Sequence, residues 1–270
     1  MENENQNIEV HLNMGYVLAP LIIQLKACRD FVYLGRRMTF AIDKMPDKIP
    51  EELKLMGIQF GEEPNDIEKY RTIFNDWITE KAFQDMVEGL RISYFRLHQF
   101  IAISKLMGTT ITQDIYDDTL KTVKVKERTG MKKLIELLDE TTKKSLISID
   151  MAKSFYEARN CLSHNHGIVS KEFVNSSDDK NLIIKGRRLF LGYQKGDQVT
   201  EAPIGSDNSD KKQFAGLGLS VSSEDFELSF AIGDKIEMNV KQFADILSTY
   251  QIIIADFDVC LNNLINKRSN

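Results

Sequence analysis

One short stretch of this chain, residues 155–167, contains most of the side chains that could take part in chemistry. It holds Arg159, Asn160, His164 and His166, so half of the four histidines of the sequence lie within it. Imidazole is the side chain whose ordinary pKa lies nearest neutrality, and it commonly serves in acid–base transfer. Guanidinium is a permanent cation whose planar fork matches phosphate oxygens. These residue types favour proton transfer beside a bound anion.

A helix should carry these polar residues, because the apolar residues around them recur at the spacing of one helical face. The apolar positions are Ile149, Met151, Ala152, Phe155, Ala158 and Leu162. Asn160 and His164 are four residues apart and share a side of this helix, with Glu157 close by. Arg159 lies about 100° round from Asn160. Gly167 fits a left-handed cap at the end of the helix, since glycine adopts positive φ without strain.

Several well-known catalytic patterns are absent. The sequence contains no P-loop, GxGxxG, HExxH or GxSxG motif. His164 and His166 would point about 160° from each other on a helix, which makes them a poor pair of metal ligands. Cys161 falls on the apolar side beside Leu162, so we expect a buried thiol rather than a nucleophile. Because no CxxC or similar spacing occurs either, the sequence predicts no metal and no other cofactor.

The order of these residues resembles the signature of a known superfamily. Arg159 and Asn160, followed by Cys-Leu-Ser and His164, match the pattern Arg-X4–6-His of HEPN domains (higher eukaryotes and prokaryotes nucleotide-binding domains). A polar residue directly after the arginine is typical of the ribonuclease members, and Asn160 is such a residue. The wider run from Arg159 to Val169 is similar to many bacterial helical proteins with this signature. The resemblance covers the motif and, loosely, the helical order from about residue 65 to 167.

The resemblance implies a helical bundle with the motif at a homodimer interface, so that two copies line one cleft. Active members are metal-independent endoribonucleases, often toxins or parts of defence systems, and a toxin implies a neutralising protein partner. By this resemblance the RNA 2′-hydroxyl attacks the adjacent phosphate. His164 would act as general acid or base, and Arg159 would stabilise the phosphorane charge. Asn160 would orient the phosphate or the histidine, with His166 as an accessory residue.

A non-catalytic interpretation fits the same residues. Arg159 could pair with Glu157, Asp150 or another carboxylate of the bundle, while Asn160 and His164 hold the helix end or a protein interface. The chain would then be a HEPN-like binding or scaffold protein. The two hypotheses differ at His164. A catalytic histidine is exposed in a cleft, whereas a bracing histidine is buried with its ring nitrogens bonded, and its loss would cost about 1–3 kcal/mol of stability.

Charge gives limited support to an RNA substrate. The net charge of the 270 residues is −5, which favours the non-catalytic interpretation. A basic run lies between residues 121 and 133, however, and its candidate substrate-binding residues are Lys124, Lys126, Arg128 and Lys132. Such a run is most often a solvated face. It supports the ribonuclease hypothesis only if it flanks the motif.

The remaining composition predicts a cytoplasmic protein outside the membrane. No stretch approaches 18 apolar residues, and the first residues are acidic and polar, unlike the start of a signal peptide. The three cysteines, Cys28, Cys161 and Cys260, are widely spaced among apolar neighbours, so we expect buried free thiols in a reducing compartment. Proline and glycine are too few for a disordered or all-β chain.

The elements around the motif are predicted to be mainly α-helical. Helical spacing covers residues 13–42, with a bend near Pro20, and residues 65–107, with a break near residues 79–82 because the stretch is long. Further helices are predicted at 115–125 and 131–142, and at 51–56 within a loop at 43–64. Ser145 or Ser148 could cap the motif helix. Trp77, Phe95 and Phe100 are assigned to the core, together with a hydrogen-bonded His98.

After Gly167 the pattern changes to short strands at 181–185, 188–193 and 226–232, with a hairpin turn at Gly233 and a polar stretch at 205–212. Residues 240–267 return to a long helix. We therefore predict a flexible N-terminus at 1–12 and one domain at 13–270. It comprises a helical bundle at 13–167, a β-containing insert at 168–239 and a closing helix at 240–267 that packs back on the bundle.

Overall fold

The computed structural model describes residues 11–41, 67–107, 109–178, 180–195, 198–201 and 218–269. These residues form a mainly helical bundle with a small antiparallel sheet before a long last helix, which confirms the predicted fold class. The helices are α1 (Met14–Ala41), α2 (Ile67–Ser104), α3 (Gln113–Thr122), α4 (Met131–Glu136), α5 (Glu140–Ser145), α6 (Ile149–His164) and α7 (Val240–Ser269). The strands are β1 (Asn181–Lys195), β2 (Gln198–Glu201) and β3 (Gly218–Ala231).

Helices α1 and α2 form an antiparallel pair that frames the bundle. Pro20 lies inside α1 and has no N–H to give to the carbonyl of Tyr16, four residues earlier. Arg96 of α2 takes that carbonyl instead, with a hydrogen bond of 2.8 Å from its Nη1. The neighbouring carbonyl of Val17 accepts from the Ser93 hydroxyl at 2.7 Å. The helix thus continues through a proline because its partner helix satisfies the freed group.

The predicted break near residues 79–82 is wrong, because α2 runs without interruption over 38 residues. The sequence there, Thr-Glu-Lys-Ala, contains no glycine or proline that would end a helix. Thr79 bonds the carbonyl of Asn75 within the helix at 2.7 Å, and Ala82 and Phe83 are buried against the bundle. Packing along its whole length keeps this unusually long helix continuous.

The predicted helix at 131–142 is also wrong, since it is divided into α4 and α5. Asp139 begins α5 as an N-cap, and its carboxylate accepts from the backbone N–H of Thr142 at 2.9 Å and from the Thr142 hydroxyl at 2.8 Å. An aspartate that caps a new helix cannot lie inside the preceding one, so the capping preference outweighs the apolar spacing. Thr112 caps α3 in the same way.

The sheet has the order β2-β1-β3, and both pairings are antiparallel. The strands predicted at 181–185 and 188–193 are one strand, β1, which continues through Gly186. Glycine is required there because a Cβ atom would lie 2.3 Å from the ring of Phe226 and 2.7 Å from the hydroxyl of Thr249. The Thr249 side chain of α7 accepts from the N–H of Arg187 at 3.0 Å. The strand thus lies directly against the closing helix.

The predicted hairpin at Gly233 has the expected turn but a different partner. Gly233 adopts φ +94°, and the chain turns between Ala231 and Asp234. The residues after the turn do not pair with β3. Instead, Lys235 forms an antiparallel bridge with Ile168, directly after the motif helix. The stretch after the motif therefore gains a strand-like partner that sequence spacing alone did not suggest.

The core joins α1, α2, α6, β1 and α7 in one continuous cluster. Phe83 and Phe155 pack edge to face at 5.7 Å, and the Tyr250 hydroxyl of α7 donates to the carbonyl of Met86 at 2.6 Å. Phe100 is buried as predicted, and Phe95 is partly buried against the core. The assignment of Trp77 to the core is wrong, since its side chain is 59% exposed near the start of α2.

Two sequence predictions, the short helix at 51–56 and the polar stretch at 205–212, lie outside the described residues. The three cysteines are confirmed as buried and outside any disulfide. Among the helices that the structure describes, none combines the length and apolar character needed to cross a membrane.

Candidate functional site

The start of the motif helix is anchored to the closing helix by a buried carboxylate. Ser148 is the N-cap residue of α6, as one of the two predicted alternatives proposed, but its hydroxyl makes no capping bond. It donates instead to Asp256 of α7 at 2.5 Å, and the Ser148 N–H donates to the same oxygen at 2.9 Å. Both residues are buried. This contact fixes where α6 begins and therefore where its last turn falls.

The end of the motif helix is fixed by two consecutive left-handed residues. Gly167 has φ +76°, which confirms the predicted left-handed glycine, and His166 before it has φ +52°. The N–H groups of Asn165 and Gly167 both donate to the carbonyl of Cys161, at 3.0 Å and 3.2 Å, which closes the end of the helix. A non-glycine residue with positive φ is uncommon, so His166 is held in a conformation that favours glycine.

The segment after the helix is held by the turn that follows β3. The carbonyl of Gly167 accepts from the N–H of Ile236 at 2.8 Å, and the N–H of Val169 donates to Asp234 at 2.8 Å. The side chains of His164 and His166 are exposed at this well-anchored helix end. Within the described part of the chain, no hydrogen bond engages either imidazole. The geometry that the bracing hypothesis requires of His164 is therefore not observed.

Arg159 lies on a different side of the helix, facing α2. Its side chain is 28% exposed, its Nη1 donates to Asn160 Oδ1 at 3.3 Å, and its Nη2 lies 3.9 Å from Glu88 Oε2. Of the predicted alternatives for Arg159, the contact is therefore with another carboxylate of the bundle, Glu88, and not with Glu157 or Asp150. Asp150 contacts Lys153 instead, at 3.6 Å. The Glu88 contact is long, so Arg159 remains a cation that an anionic ligand could reach.

Glu88 is shared with Arg91, one turn further along α2. Arg91 Nη2 lies 2.7 Å from Glu88 Oε1, and its Nη1 also donates to the backbone carbonyls of Glu127 and Thr129. The arginine thus ties the turn at residues 126–129 to the carboxylate beside Arg159. The sequence did not indicate Glu88 and Arg91 as site residues. They are three residues apart on another helix, and nothing in that spacing connects them to the motif.

Part of the predicted basic run does flank the motif helix. Lys126 and Arg128 are exposed on the turn that Arg91 holds. Gly130 follows this turn and lies against α6, since a Cβ atom there would be 2.8 Å from the hydroxyl oxygen of Tyr156. Tyr156 precedes Arg159 by three residues. The turn therefore lies beside the motif helix, next to its Arg159 side.

The other two predicted substrate-binding lysines lie elsewhere. Lys132 lines a groove of about 360 Å³ together with Glu157 of α6. Lys124 lines a separate cavity of about 440 Å³ with His98 and Asp139. The four basic residues that the sequence grouped together are thus divided among three surfaces.

Arg159 and His164 do not leave α6 in the same direction. Five residues of helix place them about 140° apart around the axis. Asn160 lies between them, because it accepts from Arg159 and shares the side of His164. No hydrogen bond joins Arg159 to His164 in the described residues. A single chain therefore presents the guanidinium towards α2 and the imidazole towards solvent.

Two further titratable groups near the site have shifted pKa values. Burial raises the pKa of Glu157, and the nearby Lys132 opposes this shift. Burial, and to a lesser extent Glu172, raises the pKa of the Cys161 thiol to about 11. The thiol donates to the carbonyl of Ile168 at 3.3 Å. Cys161 is therefore protonated and bonded at neutral pH, which agrees with its prediction as a buried residue rather than a nucleophile.

His98 is hydrogen-bonded, as the sequence predicted, but it is half-buried and lines the 440 Å³ cavity rather than lying in the core. Its Nε2 lies 2.7 Å from the carbonyl of Leu134, so this nitrogen carries the proton. Burial lowers the pKa of His98, although the Leu134 carbonyl and Asp139 oppose the shift. For the ranges that the structure describes, no group of three or more His, Cys, Asp or Glu side chains is arranged to hold a metal ion.

Comparison of the chain with family models, curated proteins and solved structures gave no match.

Proposed function

We propose that this protein is a metal-independent endoribonuclease of the HEPN type, with Arg159 and His164 as its principal catalytic residues. The observation that carries the proposal is the state of the motif at the end of α6. His164 is exposed and its ring nitrogens have no partner in the described residues, whereas the backbone around it is tightly anchored. A histidine whose ring nitrogens are not engaged, on a rigid helix end, is suited to proton transfer rather than to bracing.

The charges near the motif are compatible with an RNA substrate. Arg159 lies 3.9 Å from the Glu88 carboxylate, and an RNA phosphate could replace that long contact with a bidentate one. Lys126 and Arg128 stand exposed on the turn beside the same side of α6. The protein as a whole is acidic, at −5, so binding depends on this local arrangement rather than on net charge.

In the proposed reaction the 2′-hydroxyl oxygen attacks the adjacent phosphorus and the bond to the 5′-oxygen breaks. The products are a 2′,3′-cyclic phosphate and a free 5′-hydroxyl. One group removes the 2′-hydroxyl proton and one group protonates the leaving 5′-oxygen, and His164 performs one of these transfers. His166 is the accessory candidate for the other. Arg159 stabilises the negative charge of the phosphorane, and Asn160 orients the guanidinium through its Oδ1.

The proposed active form is a homodimer with composite sites. In one chain Arg159 faces α2 while His164 faces solvent, so one phosphate is better enclosed by Arg159 of one copy and His164 of another. We further propose that the enzyme works in the cytoplasm, which three buried cysteines outside any disulfide support. The resemblance to HEPN domains extends the proposal to a toxin or defence role with a neutralising protein partner.

The test is cleavage of single-stranded RNA by the purified protein in the presence of EDTA. The wild-type protein should release fragments with 2′,3′-cyclic phosphate ends. His164→Ala and Arg159→Ala should each lower the rate by about 10²–10⁴-fold. His11→Ala and Arg29→Ala remove a histidine and an arginine outside the motif, and both should cleave at the wild-type rate. Equal activity of the motif variants and the wild type would refute the assignment.

Mixing the two inactive variants tests the composite site. If Arg159 and His164 act across the dimer, a mixture of Arg159→Ala and His164→Ala chains forms heterodimers with one intact site. Half of the dimers are then mixed and each has one of two sites, so about a quarter of the wild-type activity should return. If both residues act within one chain, no site is restored and the mixture stays inactive.

The second candidate function is a non-catalytic scaffold, and one observation favours it. Arg159 connects α6 to α2 through Glu88, which Arg91 also holds. Under this hypothesis Arg159→Ala reduces stability and no RNA is cleaved by the wild type. Chemical denaturation of Arg159→Ala, together with the cleavage assay, therefore distinguishes the two functions.

A further inference from the structure

The β insert contributes one wall of a groove along the motif helix. The groove has a volume of about 360 Å³ and lies between α6, the first residues of α4 and the sheet. Its lining includes Lys132, Lys153, Tyr156, Glu157, Asn175 and Lys185. Asn175 and Lys185 belong to the insert, which gives this part of the chain a place beside the candidate site.

The insert is attached firmly on this side. The hydroxyl of Ser154 on α6 accepts from the backbone N–H of Lys185 at 2.9 Å. Asn175 accepts from the N–H of Ile183 at 2.6 Å and donates to the carbonyl of Ile183 at 3.0 Å. The wall of the groove is therefore set by backbone hydrogen bonds, which hold the start of β1 at a fixed distance from α6.

Three ammonium groups line the groove, together with the exposed carboxylate of Asp150 at one end of α6. Lys132 forms no ion pair within the described residues, and Lys153 and Lys185 have only long contacts, at 3.6 Å to Asp150 and 3.9 Å to Glu227. Exposed contacts of this length contribute little, so all three lysines remain available to an anion. Glu157 lies among them, and burial raises its pKa while Lys132 opposes the shift.

The groove is aligned with the motif. Lys153, Glu157, Asn160 and His164 succeed each other at intervals of three and four and therefore line one side of α6. The rise from Lys153 to His164 is about 16 Å. A flexible anionic chain that reaches His164 can therefore continue along this side of the helix into the groove.

We propose that the groove binds the single-stranded RNA on one side of the cleaved phosphate, an inference that rests on the proposed function. The lysines contact successive phosphates, and the half-buried ring of Tyr156 provides a surface on which a base stacks. Lysines spaced along a groove with an interleaved aromatic ring are the usual means of binding a single strand. The β insert, which the resemblance to HEPN domains does not cover, thus serves substrate binding.

The experiment measures RNA binding separately from cleavage. A fluorescein-labelled single-stranded RNA is titrated with the His164→Ala protein, and fluorescence anisotropy gives the dissociation constant at several salt concentrations. Adding Lys132→Gln, Lys153→Gln and Lys185→Gln together should raise the dissociation constant at least tenfold. The slope of log affinity against log salt should become shallower by about 2, since each phosphate contact on a single strand contributes about 0.7.

The matched control changes three lysines elsewhere, Lys81→Gln, Lys121→Gln and Lys144→Gln, which removes the same charge from exposed sites on α2, α3 and α5. This variant should bind RNA within about twofold of its parent, because it keeps the three groove lysines. It lowers only the total charge of the protein, which affects nonspecific attraction. Tyr156→Ala should weaken binding by roughly tenfold, whereas Tyr156→Phe keeps the ring and should bind normally. Melting temperatures of all variants show whether each is folded.

The outcomes separate the two levels of the proposal. Unchanged affinity and salt slope in the groove variant, in a parent protein that binds RNA, would overturn the groove and leave the ribonuclease proposal intact. Equal weakening in the groove and control variants would also overturn it. If the wild type neither binds nor cleaves RNA, the proposed function fails and the groove proposal fails with it.

Discussion

Replacing His164 with alanine should remove RNA cleavage while leaving the folded protein as stable as before. The structure allows the change in stability to be estimated. The side chain is exposed and makes no hydrogen bond in the described residues, and exposed substitutions of this kind usually change the free energy of unfolding by less than about 0.5 kcal/mol. A charged imidazole in the last turn of a helix contributes only about 0.3–1 kcal/mol. Alanine recovers part of this through its higher helix propensity.

The expected change in catalysis is much larger. Loss of a general acid or base lowers the rate by about 10²–10⁴-fold, which corresponds to roughly 3–5.5 kcal/mol of transition-state stabilisation. The two effects therefore differ by several kcal/mol, well beyond the error of either measurement. If His164 instead braces the helix end, the effect on stability should be the larger one. The free energy of unfolding would then fall by about 1–3 kcal/mol, and the wild type would cleave no RNA.

Urea denaturation followed by far-UV circular dichroism gives the free energy of unfolding, and initial cleavage rates in EDTA give the catalytic effect on the same preparations. His11→Ala is the matched control for removal of an exposed imidazole. If the free energy of unfolding of His164→Ala falls by more than about 1.5 kcal/mol, the side chain braces the helix end. If its cleavage rate equals that of the wild type, the side chain does not catalyse. Either result would refute the reasoning.

Three further predictions concern the elements that position the motif. Asp256→Ala should lower the free energy of unfolding by about 3 kcal/mol, because the buried N–H and hydroxyl of Ser148 lose their acceptor. Burial holds the pKa of His98 below its ordinary value, so the wild type should lose stability as pH falls below about 6.5, and His98→Gln should remove that part of the loss. Gly167→Ala should lower the melting temperature, because alanine is strained by about 1–2 kcal/mol at φ +76° and its Cβ would lie 3.1 Å from Leu162.

Each of these has its own control. Asp256→Asn keeps an acceptor oxygen and should lose less stability than Asp256→Ala, so equal losses would contradict the role of the hydrogen bonds. His166→Gln removes an exposed histidine and should keep the pH dependence of the wild type between pH 7.5 and 5. Gly233→Ala also places alanine at positive φ, +94°, but nothing lies within 4 Å of the added Cβ, so the contact with Leu162 that burdens Gly167→Ala is absent there. A melting temperature of Gly167→Ala at or above that of the wild type would show that the left-handed cap is unimportant.

Much of the fold could be predicted because the signals are local. The motif helix, its glycine cap and the long closing helix all follow from helical spacing and from the backbone freedom of glycine. The errors arose where a local signal competed with another or with packing. Asp139 began a new helix inside an apolar repeat, and α2 continued where its length suggested a break. Trp77 is exposed although its size and apolar character suggested the core.

The sequence by itself determined which chemistry the motif can support and that a helix carries it, because residue type and periodicity are properties of neighbouring positions. It also predicted that His98 is hydrogen-bonded. Only the tertiary structure decided that His164 is exposed, that Arg159 faces Glu88, and that the β insert lies along the motif helix. These features depend on contacts between residues that are far apart in the chain. Such contacts leave no local pattern, so only the packing of the helices and the sheet reveals them.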